Sequence, residues 1–214
     1  MLTEEAEVSL VATTLQPWRI TAEKVERARF AGMFAEDAVH QGAALLVEPL
    51  PDLDLDWVLD HNEGPVLVLD QVTDPRNVGA ILRSAAAFGA AALVMQDRHA
   101  PPETGSLARA ASGALEQVPV VRVVNLSRAL NELKEASCWV VGLAADAPVT
   151  LAQVQRGLSG RRCALVLGSE GEGMRRLTRE HCDELARLPI TSRMESLNVS
   201  AAAAVALYEL VREP

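Results

Sequence analysis

From residue 65 onward the chain alternates short aliphatic runs with helical stretches, and this alternation leaves few folds open to it. Residues 66–69, 91–95, 118–124, 138–143 and 163–167 are rich in Val, Leu and Ala. Between them, residues 77–88, 106–113, 127–136 and 151–156 carry the mixed apolar and polar spacing of helices. After residue 167 come a glycine-dense loop, a charged segment, a short strand ending at Pro189 and Ile190, a polar loop, and a long alanine-rich helix. Nearly continuous apolar strands separated by helices are the mark of a parallel sheet with both faces covered. The expected fold class is therefore α/β, a parallel sheet with helices on both faces, over residues 65–214.

The first part of the chain differs. Residues 1–48 hold a strand-like run at 8–13, a polar helical stretch at 23–34, and a second strand at 43–47 after His40-Gln41-Gly42. They read as a small α/β unit, short for an independent core. Residues 49–64 are acidic and proline-bearing and read as a linker. Charge follows the same division. The net charge of −9 lies wholly in residues 1–64, which have 13 acidic residues against 4 basic, while residues 65–214 carry 16 of each. Of those 16 basic residues 15 are Arg, the better fork for phosphate oxygens. An acidic chain of this kind remains compatible with an RNA partner but does not hold one by bulk electrostatics.

Aromatic residues make up only 3% of the chain, so the core must be built from Leu, Val and Ala. No apolar run reaches the roughly 18 residues of a membrane span. The acidic N-terminus lacks a signal-peptide pattern. Cys138, Cys163 and Cys182 form no CxxC pair, which fits reduced thiols in a cytoplasmic protein. His40, His61, His99 and His181 show no ligand spacing, and no metal is expected.

Three short motifs carry the polar chemistry. In residues 69–89, Asp74-Pro75 can start a turn and Asn77 suits a helix N-cap, with Arg83 almost two turns further on. In residues 167–174, Gly168, Gly171 and Gly173 let the backbone turn and approach a ligand, without matching Rossmann or Walker spacing. Glu170 and Glu172 in that loop disfavour a triphosphate and suit either a ligand with a positive centre or a structural clamp. In residues 189–200, Ser196 and Asn198 open the alanine-rich helix, where capping alone would account for them. No GxSxG or Ser/His/Asp arrangement is present, which disfavours a hydrolase.

Taken in this order, D-P-R-N-V-G-A-I-L-R, L-G-S-E-G-E-G-M and P-I-T-S-R-M-E-S-L-N-V-S-A-A-A resemble the three signature motifs of the SpoU/TrmH family of RNA ribose 2′-O-methyltransferases, in the SPOUT superfamily. The run G-E-G-M-R-R-L-T-R-E-H-C-D-E-L is most similar to the branch acting on a guanosine of 23S ribosomal RNA. The resemblance implies a C-terminal deep trefoil knot, S-adenosylmethionine as cofactor, an RNA partner and a homodimer. It implies catalytic roles for Asn77, Arg83, Glu170, Ser196 and Asn198, and cofactor-binding positions at Gly168, Leu188, Ile190 and Leu197. For Arg83 that role is a general base or an activator of the ribose, and because a guanidinium gives up its proton so reluctantly, charge stabilisation fits equally well. That branch carries a longer N-terminal RNA-binding domain, so residues 1–48 are expected to be a shortened, RNA-binding-like version of it. A transfer-RNA methyltransferase of the same family and a non-catalytic RNA-binding protein that keeps the fold are the alternatives.

Overall fold

The computed structural model describes residues 1–7, 22–34, 40–98, 100–191, 194 and 196–212. It divides the chain into two units, Met1–Leu50 and Pro51–Pro214.

In the first unit Leu2 forms a parallel bridge with Lys24 and an antiparallel one with Ala43. Helix α1 (Arg27–Ala31) turns Phe30 fully inward, where its ring meets those of Phe34 and His40. The expected helix over 23–34 shortens to α1 because the Glu23 carbonyl and the Val25 amide are committed to Leu2. The expected strand over 43–47 reduces to the single bridge at Ala43. Leu45, Leu46 and Val47 lie exposed, with no neighbouring strand among the described residues. The expected strand at 8–13 lies outside the described residues.

The second unit opens with α2 (Leu55–His61), capped by the Asp54 carboxylate, which accepts from the Asp56 amide at 2.9 Å. Leu55, Val58 and Leu59 are buried in the core of this unit. Residues 55–61 are thus a packed helix where the sequence led us to expect linker, because an apolar stripe recurs within the acidic run. Then follow β1 (Val66–Asp70), α3 (Pro75–Ala87), β2 (Ala92–Gln96), α4 (Gly105–Ala111), β3 (Val120–Val123) and α5 (Leu126–Glu135). The chain continues as β4 (Trp139–Leu143), β5 (Val149–Thr150), α6 (Leu151–Gly157), β6 (Cys163–Gly168), α7 (Arg176–His181), β7 (Glu184–Arg187) and α8 (Val199–Val211).

All seven strands of this sheet pair in parallel, in the order β3-β2-β1-β6-β4-β7-β5. Alternate residues of β1 supply the two faces. Leu67 and Leu69 join a core with α3, α4, α6 and α8, whereas Val66 and Val68 join one with α2 and α5. The close approach of α3 to α4 depends on Gly79, where a Cβ would fall 2.5 Å from the Leu107 carbonyl oxygen. Strand β7 ends at Arg187, before the expected Pro189 and Ile190. Pro189 has no amide to give a ladder, and the Ile190 amide turns back to the Leu188 carbonyl at 2.9 Å.

Candidate active site at the end of strand β6

Strand β6 runs between β1 and β4, and its carboxyl end carries the glycine loop into the crevice where open α/β sheets hold ligands. The loop closes on itself: the Ser169 amide donates to the Gly173 carbonyl and the Gly173 amide to the Ser169 carbonyl. Gly171 and Gly173 take positive φ, 84° and 70°. Gly168 has no room for a side chain, since a Cβ there would lie 2.1 Å from the Gly173 carbonyl carbon. The far end of the loop is anchored by Asp70, the buried last residue of β1. Its two oxygens accept from the Arg175 amide at 2.9 Å and from Arg175 Nε at 2.7 Å, while Arg175 Nη2 donates to Gln96 at 2.8 Å.

The first helix of the site starts one turn earlier than expected. Asp74, not Asn77, is the N-cap of α3, accepting from the Arg76 amide at 2.8 Å, and Pro75 occupies the first turn. Proline suits that turn because the missing amide would have no helical acceptor there. Asn77 is thereby released from capping, and its Nδ2 donates to Glu170 Oε1 at 3.0 Å. Asn198 does cap α8. Its Oδ1 accepts from the Ser200 amide at 2.9 Å and the Ala201 amide at 3.4 Å. The other end of the same amide, Nδ2, donates to Glu170 Oε1 at 2.6 Å and to Asn77 Oδ1 at 3.1 Å. The Val199 amide, at the positive end of α8, also points to Glu170 Oε1 at 3.4 Å. One carboxylate oxygen is thus held by donors from two helices.

Beside this cluster lies a cavity of about 460 Å³. Gly168, Leu188, Ile190 and Leu197 line it, as do Glu170 and Ser196, so six of the expected site residues share one wall system. Asn77 and Asn198 stand outside the lining and reach it through Glu170. Arg83 stands apart from both. It is exposed on α3, about 9 Å along the axis from Asn77, and makes no hydrogen bond or ion pair among the described residues. A larger cleft of about 580 Å³ lies in the first unit along Thr3–Glu5 and Lys24–Arg27, but Lys24 and Arg27 are spent there on ion pairs with Glu7 and Glu5.

The sequence reading missed the opposite wall of the cavity, Leu143–Asp146 with Met174 and Arg179. The signal was the run of small residues Ala144 and Ala145 straight after a strand, at the carboxyl end where such folds place ligands. It also missed the Asp70–Arg175 anchor, signalled by a carboxylate ending an otherwise apolar strand. The cavity edge is charged: Asp146, Glu170 and Glu172 face a single described cation, Arg179. The Arg179 guanidinium bonds Asp146 at 2.9 Å and holds its carboxyl below the usual range. Burial pushes Cys163 and Cys182 up to about 12, so neither is a thiolate at neutral pH.

A parallel α/β sheet whose crevice combines a glycine loop, a partly apolar cavity and an acidic edge has the form of a small-ligand site. The chain belongs to the SpoU rRNA Methylase family, whose model matches residues 64–208. It is 48% identical over 184 residues to a protein of Pasteurella multocida (strain Pm70) called 23S rRNA (guanosine-2'-O-)-methyltransferase RlmB, covering 84% of this chain and 74% of that protein. It is 44% identical over 200 residues to the protein of that name from Pseudomonas syringae pv. tomato, covering 91% and 78%. Among solved structures it is similar to the SpoU methyltransferase AviRb from Streptomyces viridochromogenes in complex with AdoMet. The TM-score is 0.68 at 28% identity, over 76% of this chain and 65% of that one.

Proposed function

We propose that the protein transfers a methyl group from S-adenosylmethionine to a ribose 2′-hydroxyl of RNA, and that its substrate is a guanosine of 23S ribosomal RNA. The observation that carries this reading is the Asn77–Glu170–Asn198 cluster at the edge of the Gly168 cavity. The relatives named for that activity support the choice of substrate.

The residues present fit the cofactor. A cavity of about 460 Å³ is of the size that holds a small organic ligand. Leu167, Leu188, Ile190 and Leu197 offer an apolar wall, and the bare backbone at Gly168 allows close approach. Three carboxylates against one guanidinium suit a ligand with a positive sulfur. S-Adenosylmethionine supplies an electrophilic methyl group on that sulfur.

The chain's own residues then divide the work. Asn77 and Asn198 hold Glu170 in one orientation, so its charge is fixed beside the cavity before substrate arrives. Ser196, exposed in the cavity wall, offers a hydroxyl toward an incoming ribose. Arg83 has its guanidinium open to solvent and is the residue that activates the ribose or stabilises the charge developing on its oxygen. Residues 1–48 act as an RNA-binding-like segment, and residues 65–214 as the SPOUT catalytic domain.

The insertion of β6 between β1 and β4, and of β7 between β4 and β5, supports a C-terminal trefoil knot. Val205, Tyr208 and Val211 remain 40–55% exposed on α8, an apolar face that a homodimer would bury. No helix among the described residues is long and apolar enough to cross a membrane.

Incubation with labelled cofactor and unmodified total RNA tests the reaction. Label is expected in 23S RNA, as 2′-O-methylguanosine after digestion. Label confined to transfer RNA would overturn the substrate, and a protein that binds cofactor and RNA without transfer would overturn the enzyme.

A further inference from the structure

The edge of the cavity on the β4 side carries one ion pair. Asp146, in the loop after β4, faces Arg179 of α7, with Arg179 Nη1 and Nη2 each 3.2 Å from Asp146 Oδ1 and Nη2 2.9 Å from Oδ2. Both residues line the cavity, and Arg179 is the single cation doing so among the described residues. Each partner sits on a fixed base. The loop is tied down by the Ala144 amide on the Ala186 carbonyl and by buried Ala147. Helix α7 is tied down by buried Thr178 and by Arg175 on Asp70. The contact therefore joins two anchored elements that both line the cavity. It differs in this from Arg176 and Glu180, which pair along one exposed turn.

Its position relative to the amide cluster decides what it can do. Asn77 follows β1, the glycine loop follows β6, and Asp146 follows β4, in that order across the sheet. Two strand spacings, about 10 Å, separate the β1 side from the β4 side. The contact is thus far from Asn77 but about 5 Å, one strand spacing, from the strand that carries the Glu170 loop, so its first effect is on how tightly the cavity holds its ligand.

We propose that Asp146 and Arg179 form an ionic latch over the β4 side of the cavity, which sets how tightly the cofactor and its demethylated product are held. This rests on the reading of the cavity as an S-adenosylmethionine site. Arg179 holds the Asp146 carboxyl below its usual range, so both partners are charged at neutral pH.

Calorimetric titration of the whole chain with S-adenosylmethionine and with S-adenosylhomocysteine tests it. Asp146→Asn and Arg179→Gln are each expected to weaken both ligands by roughly 2–5-fold, the scale of an exposed ion pair. The double variant should be no weaker than the worse single one, and exchanging the charges, Asp146→Arg with Arg179→Asp, should bring affinity back toward wild type. Wild-type affinity should fall between roughly 50 and 500 mM salt while that of the single variants stays flat. In the methyl-transfer assay KM for cofactor should rise by a larger factor than any change in kcat. Affinities unchanged in both single variants, or losses that add in the double variant, would overturn the latch. So would a lowered kcat with cofactor affinity intact. A wild-type chain that binds neither ligand would overturn the cofactor reading itself. If a single variant fails to fold, the charge-exchanged pair carries the test.

Discussion

Asn198 Nδ2 donates to Asn77 Oδ1 at 3.1 Å, joining the first turn of α3 to the cap of α8 across 121 positions of sequence. Both amides also reach the same oxygen of Glu170, so neither helix can shift without disturbing the carboxylate. The two asparagines nevertheless differ in what else they do, and that difference can be measured.

Asn77 caps nothing, whereas Asn198 supplies the cap of α8. Asn77→Ala should lower methyl transfer and leave thermal stability close to wild type. Asn198→Ala should lower transfer and also cost about 1 kcal/mol of stability, the usual worth of an N-cap. Denaturant titrations beside single-turnover rates separate the cases. Equal stability losses in the two variants would contradict the division of roles.

Arg83 stands outside the amide cluster and outside the cavity lining. If it acts on the ribose, Arg83→Ala should lower kcat by about two to four orders of magnitude with cofactor affinity barely changed. Stability should be close to wild type, since an exposed helix residue that makes no hydrogen bond or ion pair among the described residues contributes little. Arg83→Lys discriminates further: substantial activity would favour simple charge stabilisation over a role for the planar fork. Full activity in Arg83→Ala would remove the residue from the reaction.

Gly168 is where the loop backbone passes closest to its strand. Gly168→Ala puts a methyl group 2.1 Å from one backbone carbon and 2.2 Å from the Met174 nitrogen, so the loop must move. The expected result is loss of cofactor binding in calorimetry, with Gly171→Ala, which meets nothing within 4 Å but takes φ of 84°, affected less. Normal binding in Gly168→Ala would show that the cofactor does not depend on this loop geometry.

Burial raises Cys163 and Cys182 from the ordinary 9.0 to about 12. The unfolded chain ionises these thiols first as pH rises, so their contribution to stability is complete below about pH 9 and is lost between pH 9 and 12. Native protein at pH 8 should resist thiol alkylation at both positions, and urea midpoints should fall over that alkaline window. Rapid alkylation of Cys163 in native protein at pH 8 would contradict this account of its burial.

Much of the catalytic domain was legible in the sequence because its cues are local. Apolar runs at 66–69 and 163–167 have to be buried on both faces, and Gly168 has to be glycine wherever a loop folds back on its strand. The strand expected at 43–47 failed for the complementary reason: an apolar run is a strand only when another strand takes its hydrogen bonds, and beyond Ala44, which exchanges hydrogen bonds with Met1, none among the described residues does. Capping was legible as chemistry but not as assignment. Asp74 and Asn77 both suit an N-cap, and the proline between them decides for Asp74.

Tertiary structure alone decided which distant residues meet. Glu170 lies 93 positions from Asn77 and 28 from Asn198, and nothing in the periodicity of either helix encodes that distance. The meeting follows from β6 pairing between β1 and β4, a choice made by the long-range fit of sheet and helices. The same choice brings Asp146 to Arg179 and Asp70 to Arg175. By itself the sequence determined the elements, the glycines and the kinds of polar group available. The order of the strands, set by how the whole core packs, determined which of those groups share a site.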